Sequence, residues 1–411
     1  MEHPQRGVPL VVLAMGSDDR QVSMICGMDG LDGHERWHVD LERDHFVPST
    51  ALAADRGVVY AATSEGMVYA LRGQDGELVW RRRVTYRDRS GPWAHPGQVE
   101  LRVVAGGGIV ALDYIRPDLS PADGGYRLIT VLDGKDGSEL WVWRPPQLPL
   151  WVQLWRRVHR WNAWERIGFV LLGADSHGVY LTEAYGRNPP KPDWSRTILL
   201  DRGSGSRRWR TRQVAAANFA GHWGSRTSVA LADNTAYTVG ERLSALDAST
   251  GRTRWSHPIP SGDGIRPGPL VADASVLCAA YDSRFCVYRT LDGELLWELV
   301  RGVAPVPMSA FFGMVLMDGA VYVSRWKYQS FGVEAHDALT GELRWEWPHA
   351  DASDEQVSLA RGDISWRLVG AGGILYVPGP NCLCAVRASD GELLWQLPKV
   401  RGLPPLVAVA D

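Results

Sequence analysis

The sequence predicts an all-β protein, an eight-bladed β-propeller, and three observations carry that prediction. An eleven-residue phrase, clearest at Ala245-Leu-Asp-Ala-Ser-Thr-Gly-Arg-Thr-Arg-Trp255, recurs eight times. From Trp to Trp, successive copies lie 42 to 68 residues apart, a period of the size that propellers and solenoids use. The C-terminal stretch 404–410, Pro-Pro-Leu-Val-Ala-Val-Ala, reads as the strand that the first copy lacks, so the array closes on itself and loses its open edge.

Each part of the phrase has a physical reason. Its Gly-x-x-x-Trp core stands at Gly33/Trp37, Gly76/Trp80, Gly137/Trp141, Gly205/Trp209, Gly251/Trp255, Gly293/Trp297, Gly341/Trp345 and Gly391/Trp395. Asp, Ser or Thr precedes every Gly and can hydrogen-bond the turn backbone, while Gly takes the positive φ that closes the hairpin. Four residues before the Gly stands Asp29, Asp133, Asp201, Asp247 or Asp337, but Arg72, Arg289 and Arg387 break that rule. Six residues before it the side chain is small in five copies, Gly27, Ala70, Ala245, Ala335 and Ala385. A Trp on an outer strand is expected to fit over such a small residue on the neighbouring blade, burying a large ring where two sheets meet.

The phrase resembles the tryptophan-docking motif of the PQQ-like β-propeller repeat, Ala-x-Asp-x-x-x-Gly-x-x-x-Trp. That family takes in quinoprotein alcohol dehydrogenases and the propeller lipoprotein of the bacterial outer-membrane assembly machine, both eight-bladed. The resemblance covers essentially the whole chain and implies a single propeller domain over residues 1–411. It implies a fold; function is decided by the site grafted on it.

Taken in order, the first copy supplies strands at 9–15, at 22–28 and around Trp37, and the C-terminal strand makes its fourth. Short turns at 54–57, 105–108, 317–319 and 371–373 join the two inner strands of later blades, so Gly106 to Gly108 form a hairpin turn and not a phosphate cradle. Long insertions fall only between an outer strand and the next inner strand (81–98, 144–167, 210–226, 347–365) or between second and third strands (113–126, 183–197, 324–332). With strands running up and down, both kinds of connection emerge on one face of the disc, where binding loops belong. The largest, 144–167, places Trp151, Leu154, Trp155 and Val158 at helical spacing within 149–164, which predicts a short amphipathic helix carrying Arg156, Arg157 and Arg160 on its far side.

With 411 residues and a net charge of −3, the chain offers no global attraction to nucleic acid or to an anionic membrane. The apolar run at 9–15 is too short to span a bilayer and ends without a secretory cleavage pattern, and five cysteines are an odd number; a cytoplasmic protein is expected. Cys382 and Cys384 face the same way along a strand and read as core residues, too far apart to bridge easily.

No Gly-x-Ser-x-Gly, His-Glu-x-x-His, Walker loop or paired Cys-x-x-Cys is present. The adjacent cysteines and calcium-binding carboxylates of quinoprotein dehydrogenases have no counterpart here, so neither a cofactor nor a metal is expected. The candidates lie on the insertion-bearing face and at the funnel mouth: Trp93, Trp223, Arg226, Arg266, Arg325, Trp366 and Arg367 for ligand contact, and His95, Asp113, His222 and Tyr328 as acid or base groups. Aromatic walls with convergent polar tips are what a small-molecule site requires. Arg81, Arg82, Arg83, Arg87, Arg89, Arg156, Arg157, Arg160, Arg210 and Arg212 gather near blades 2 to 5, and Asp351, Asp354, Glu355 and Asp363 near blade 8, which points to an anionic ligand or acidic partner.

Three functions follow from these features. The first is a propeller that binds a partner protein or small ligand on its elaborated face without chemistry of its own. The second is a cofactor-independent cyclase, isomerase or lyase that positions a substrate in the funnel and uses a His, Asp or Tyr as acid or base. The third is a quinone-dependent dehydrogenase.

Overall fold

The structure, a computed structural model, describes residues 9–16, 23–42, 45, 47–48, 50–84, 101–115, 127–144, 166–186, 194–211, 229–239, 242–259, 267–281, 284–300, 311–327, 330–348, 368–378, 382–398 and 406–409. Among these residues 32 strands form eight antiparallel four-stranded sheets. No helix occurs among the described residues, and the 149–164 segment read as helical lies outside them.

Seven blades are built from consecutive strands. Blade 2 holds β4 (Leu52–Asp55), β5 (Val58–Ala62), β6 (Met67–Arg72) and β7 (Leu78–Arg83). Blade 3 holds β8 (Arg102–Gly106), β9 (Ile109–Ile115), β10 (Arg127–Asp133) and β11 (Glu139–Trp143), and blade 4 holds β12 (Arg166–Ala174), β13 (Gly178–Gly186), β14 (Trp194–Asp201) and β15 (Arg207–Arg210). In blade 5 stand β16 (Ala230–Ala232), β17 (Thr235–Val239), β18 (Arg242–Asp247) and β19 (Thr253–Pro258); in blade 6, β20 (Pro267–Ala272), β21 (Val276–Tyr281), β22 (Arg284–Arg289) and β23 (Leu295–Val300). Blade 7 holds β24 (Phe311–Met317), β25 (Ala320–Lys327), β26 (Ser330–Asp337) and β27 (Leu343–Pro348), and blade 8 holds β28 (Val369–Ala371), β29 (Ile374–Pro378), β30 (Cys382–Arg387) and β31 (Leu393–Pro398). Blade 1 differs: β1 (Leu10–Gly16), β2 (Ser23–Asp29) and β3 (Glu35–Asp40) are completed by the C-terminal β32 (Leu406–Val409), which pairs Val409 with Leu10 and Leu406 with Leu13.

The docking Trp acts between blades. Its indole N–H donates to a carbonyl in the next blade's turn in all eight cases, Trp37 to Gly73, Trp80 to Gly134, Trp141 to Arg202, Trp209 to Ala248, Trp255 to Thr290, Trp297 to Ala338, Trp345 to Ala388 and Trp395 to Gly30, at 2.8 to 3.0 Å. The ring lies on the glycine of that turn: a Cβ on Gly137, whose φ is +70°, would stand 2.6 Å from the Trp80 ring. Glycine is therefore needed both for the left-handed turn and for the close approach.

The small residue of the phrase, expected under the neighbouring blade's Trp, lies under its own. Gly27 pairs in register with Trp37, Ala70 with Trp80, Ala245 with Trp255, Ala335 with Trp345 and Ala385 with Trp395. The cause is a one-residue register shift before every docking Trp, a β-bulge that re-aims the ring sideways toward the next blade.

The bulge also explains the three arginines. In four of the five copies where Asp stands four before the glycine, the bulged Arg next to Trp approaches it, Arg36 to Asp29, Arg254 to Asp247, Arg344 to Asp337 and, at 4.0 Å, Arg208 to Asp201; in the fifth, that of Asp133, the bulge is Leu140 and the carboxylate accepts from the Lys135 backbone. Where Arg stands there instead, it pairs with the Asp before the glycine and the Glu after it: Arg72 with Asp75 and Glu77, Arg289 with Asp292 and Glu294, Arg387 with Asp390 and Glu392. The bulge is then apolar, Val79, Leu296 or Leu394. These are two wirings of one turn.

Five of the seven described inner hairpins turn through two residues of positive φ, at Arg56-Gly57, Gly107-Gly108, Asp233-Asn234, Asp318-Gly319 and Gly372-Gly373. Seven docking turns donate a backbone N–H to the adjacent inner turn, as Gly73 to Gly57 and Ala338 to Gly319, and that of blade 1 donates from Gly30 to Pro9 at the head of β1, so both sets share one face. The remaining connections all join strand ends at the opposite face. Of the stretches read as insertions, 324–332 is mostly strand: β25 and β26 pair as far as Lys327 and Ser330.

Candidate functional site

The candidate site is the insertion-bearing face. Trp93 and His95 fall in 85–100, His222, Trp223 and Arg226 in 212–228, Arg266 in 260–266, Tyr328 in 328–329, and Trp366 and Arg367 in 349–367, all outside the described residues. Every one of those stretches joins strand ends at that face. Arg325, expected in a loop, stands in β25 opposite Gly332, because the hairpin runs on past it.

Asp113 is likewise a strand residue. It pairs with Arg102 on one side and Ile129 on the other, two positions beyond Trp141 toward the insertion-bearing end, and is 3% exposed. Arg102 in turn donates to the Leu171 carbonyl of blade 4 at 2.9 Å, tying the inner strands of blades 3 and 4. A carboxylate so placed sits beside a fixed cation inside the ring rather than in an open loop.

Three further buried acids escaped the sequence reading: Glu65, 8% exposed in the turn between β5 and β6, and two on strands. Glu183 on β13 forms an ion pair with Arg196 on β14. In blade 7, Glu334 on β26 lies 3.4 Å from Nε2 of His336, whose Nδ1 is 3.1 Å from the Gly341 carbonyl and whose ring stacks 5.6 Å from Trp297 of blade 6. The strand alternation that puts i and i+2 on one face was the available signal. Asp113, Glu183 and Glu334 all stand in β-strands with a basic neighbour, Arg102, Arg196 and His336 respectively.

Among the described residues no three His, Cys, Asp or Glu side chains converge as a metal site would require. All five cysteines are free and buried; Cys382 and Cys384 share β30 with their sulfurs 3.8 Å apart. Burial pushes the Cys26 thiol up to about 12, away from the thiolate a nucleophile needs. The same cause lifts the Tyr60 phenol to about 12, so it serves as a hydrogen-bond donor, to the Gly134 carbonyl that also receives Trp80.

The opposite face is committed to its own structure. Asp247 is held well below the usual carboxylate range by the Ser249 hydroxyl, Arg254 and Thr250, and the hydrogen bond from Arg289 holds Asp292 down to about 2. These carboxylates are turn parts.

Eight Trp-docked blades closed by a C-terminal strand define an eight-bladed propeller of the PQQ-like repeat. The family model described as outer membrane protein assembly factor BamB (PQQ_2) matches residues 21–158, 195–361 and 329–408, and the chain belongs to that family. A curated relative, the serine/threonine-protein kinase AfsK of Streptomyces coelicolor, is 33% identical over 156 residues; the match spans 38% of this chain and 17% of the kinase. Among solved structures, AztD of Citrobacter koseri aligns with a TM-score of 0.58 at 14% identity over 98% of this chain and 99% of that one. The dihydro-heme d1 dehydrogenase NirN in complex with DHE aligns with a TM-score of 0.52 at 14% identity over 99% of this chain and 77% of NirN. These two likenesses concern the fold.

Proposed function

We propose that this propeller holds a partner protein or a small ligand on its insertion-bearing face and performs no chemistry of its own. One observation carries the reading: the turns of the other face are short and their polar groups are spent on one another, whereas every long connection leaves from the opposite strand ends. Loops that exceed what a turn needs, set on a rigid scaffold, are where selective contacts arise. The partial match to a kinase supports a propeller used as one module of a larger protein. An intracellular, reducing location belongs to the same proposal and is supported by the five free cysteines; cell fractionation tests it.

The test compares capture of binding partners from cell extract by the wild type, by an Arg266→Ala/Trp366→Ala variant and by an Arg56→Ala variant on the short-turn face. The reading predicts that the double variant loses a specific captured species at an unchanged melting temperature, while Arg56→Ala keeps it. Loss only in Arg56→Ala contradicts it.

A further inference from the structure

A second surface, the outer edge of blade 4 running from the docking turn up to the insertion-bearing end at Arg210, has the character of a docking site. β15 is the outer strand of blade 4, with a sheet neighbour only on its inner side, and reads Arg-Arg-Trp-Arg, three cations around one docked ring. The bulge at Arg208 sets Arg207 opposite Leu200 and Arg210 opposite Ile198, so the two share one face of the strand although three positions apart. A regular strand would point them to opposite sides. Trp209 docks on the next blade's turn, which brings exposed Arg252 to the other flank of the same edge.

These cations are not neutralised by their surroundings. The comparable strand β7 also carries three arginines, but Arg81 lies 3.9 Å from Glu42 and Arg82 3.8 Å from Glu139. On β15 only Arg208 approaches an acid, Asp201 at 4.0 Å. Arg207, Arg210 and Arg252 have no carboxylate within pairing distance among the described residues; the nearby turn carboxylate Asp247 is paired with Arg254.

We propose that this edge docks an Asp/Glu-rich segment of a partner protein. The proposal is independent of the binding reading above. An exposed strand edge does not enclose a small anion, so affinity has to come from several carboxylates engaging several guanidinium groups in sequence. A long nucleic acid fits poorly: the whole chain carries −3, and the described residues of blade 1 present Asp29, Asp32, Glu35, Asp40 and Glu42 against one fixed cation, Arg36. A short acidic segment reaches the basic sector without crossing the acidic one.

The experiment measures anisotropy of a fluorescein-labelled peptide of alternating Glu and Thr with the full chain, in low and high salt. A single-stranded oligonucleotide and inorganic polyphosphate serve as competitors. The expected result is peptide binding that weakens with salt, falls about tenfold or more in Arg207→Glu/Arg210→Glu and is retained in Lys135→Glu, an exposed cation on another blade. Arg252→Glu reads the site independently and is expected to weaken binding too. Absence of binding by the wild type, equal binding by the double reversal at an unchanged melting temperature, or preferential binding of the oligonucleotide or polyphosphate overturns the proposal.

Discussion

At the scale of single residues, the Gly/Trp contact does more than decorate a turn. Trp80 is 8% exposed, pressed on Gly137 and hydrogen-bonded to Gly134. Trp80→Ala is expected to cost about 3–5 kcal/mol as a buried aromatic deletion, measured by urea unfolding. Gly137→Ala attacks the same contact from the other blade, through φ and through the ring, so the double variant is expected to lose clearly less than the sum of the singles. Additive losses would mean that the two residues act separately. The sequence exposed both residue types because Gly and Trp stand four apart in every copy; that each Trp meets the glycine of the next blade does not show in that spacing. It hid the Tyr that packs against five of these rings, Tyr60, Tyr180, Tyr237, Tyr322 and Tyr376, with centroids 5.7 to 6.2 Å from the Trp of the same blade. Each stands three residues after the second turn residue of its inner hairpin, but its distance to the Trp varies with the intervening connection.

At the scale of elements, the docking turn is an electrostatic device with a defined pH window. Asp337 is held down to about 2 from an ordinary 3.8, first by the hydrogen bond from Arg344 and then by backbone N–H groups. A carboxyl with a lowered folded-state pKa contributes stability that is fully present above its unfolded value and lost as pH falls through its folded value. The penalty for Asp337→Asn is therefore expected to be constant above about pH 4 and to shrink between there and about pH 2. A penalty that stays level through that window, in thermal melts across pH, would show that the pairing is not what the Asp supplies. The hairpins were legible because Asn, Asp and Gly name their own turn type. The bulge was not: one extra residue leaves the phrase unchanged and shows only as a shift in pairing, and it reverses which blade's Trp the small residue serves. Asp113 and Arg325 were misplaced into loops for a related reason, since the strands run further than their apolar alternation suggests.

At the scale of the molecule, the ring depends on both chain ends meeting in blade 1. Removing 404–411 deletes β32, leaves the β1 edge open and removes the inner strand that blades 8 and 2 pack against. The truncated chain is expected to melt lower and aggregate; an equally heat-stable, monodisperse product would show that closure does not need this strand. Eightfold repetition made the architecture readable from the sequence alone. The site was readable only as a face, because the residues that confer selectivity belong to the stretches that do not repeat.

The claim that function lies on that face has a direct test in the buried state of every native cysteine, which lets an introduced thiol be labelled selectively. Asp318→Cys places one on the short-turn face and Arg226→Cys one in a connection of the insertion-bearing face, each to be coupled to a bulky polyethylene glycol maleimide. Partner capture from extract should be abolished by the polymer at residue 226 and unaffected by the polymer at residue 318. The reverse pattern would place the functional face on the side of the docking turns.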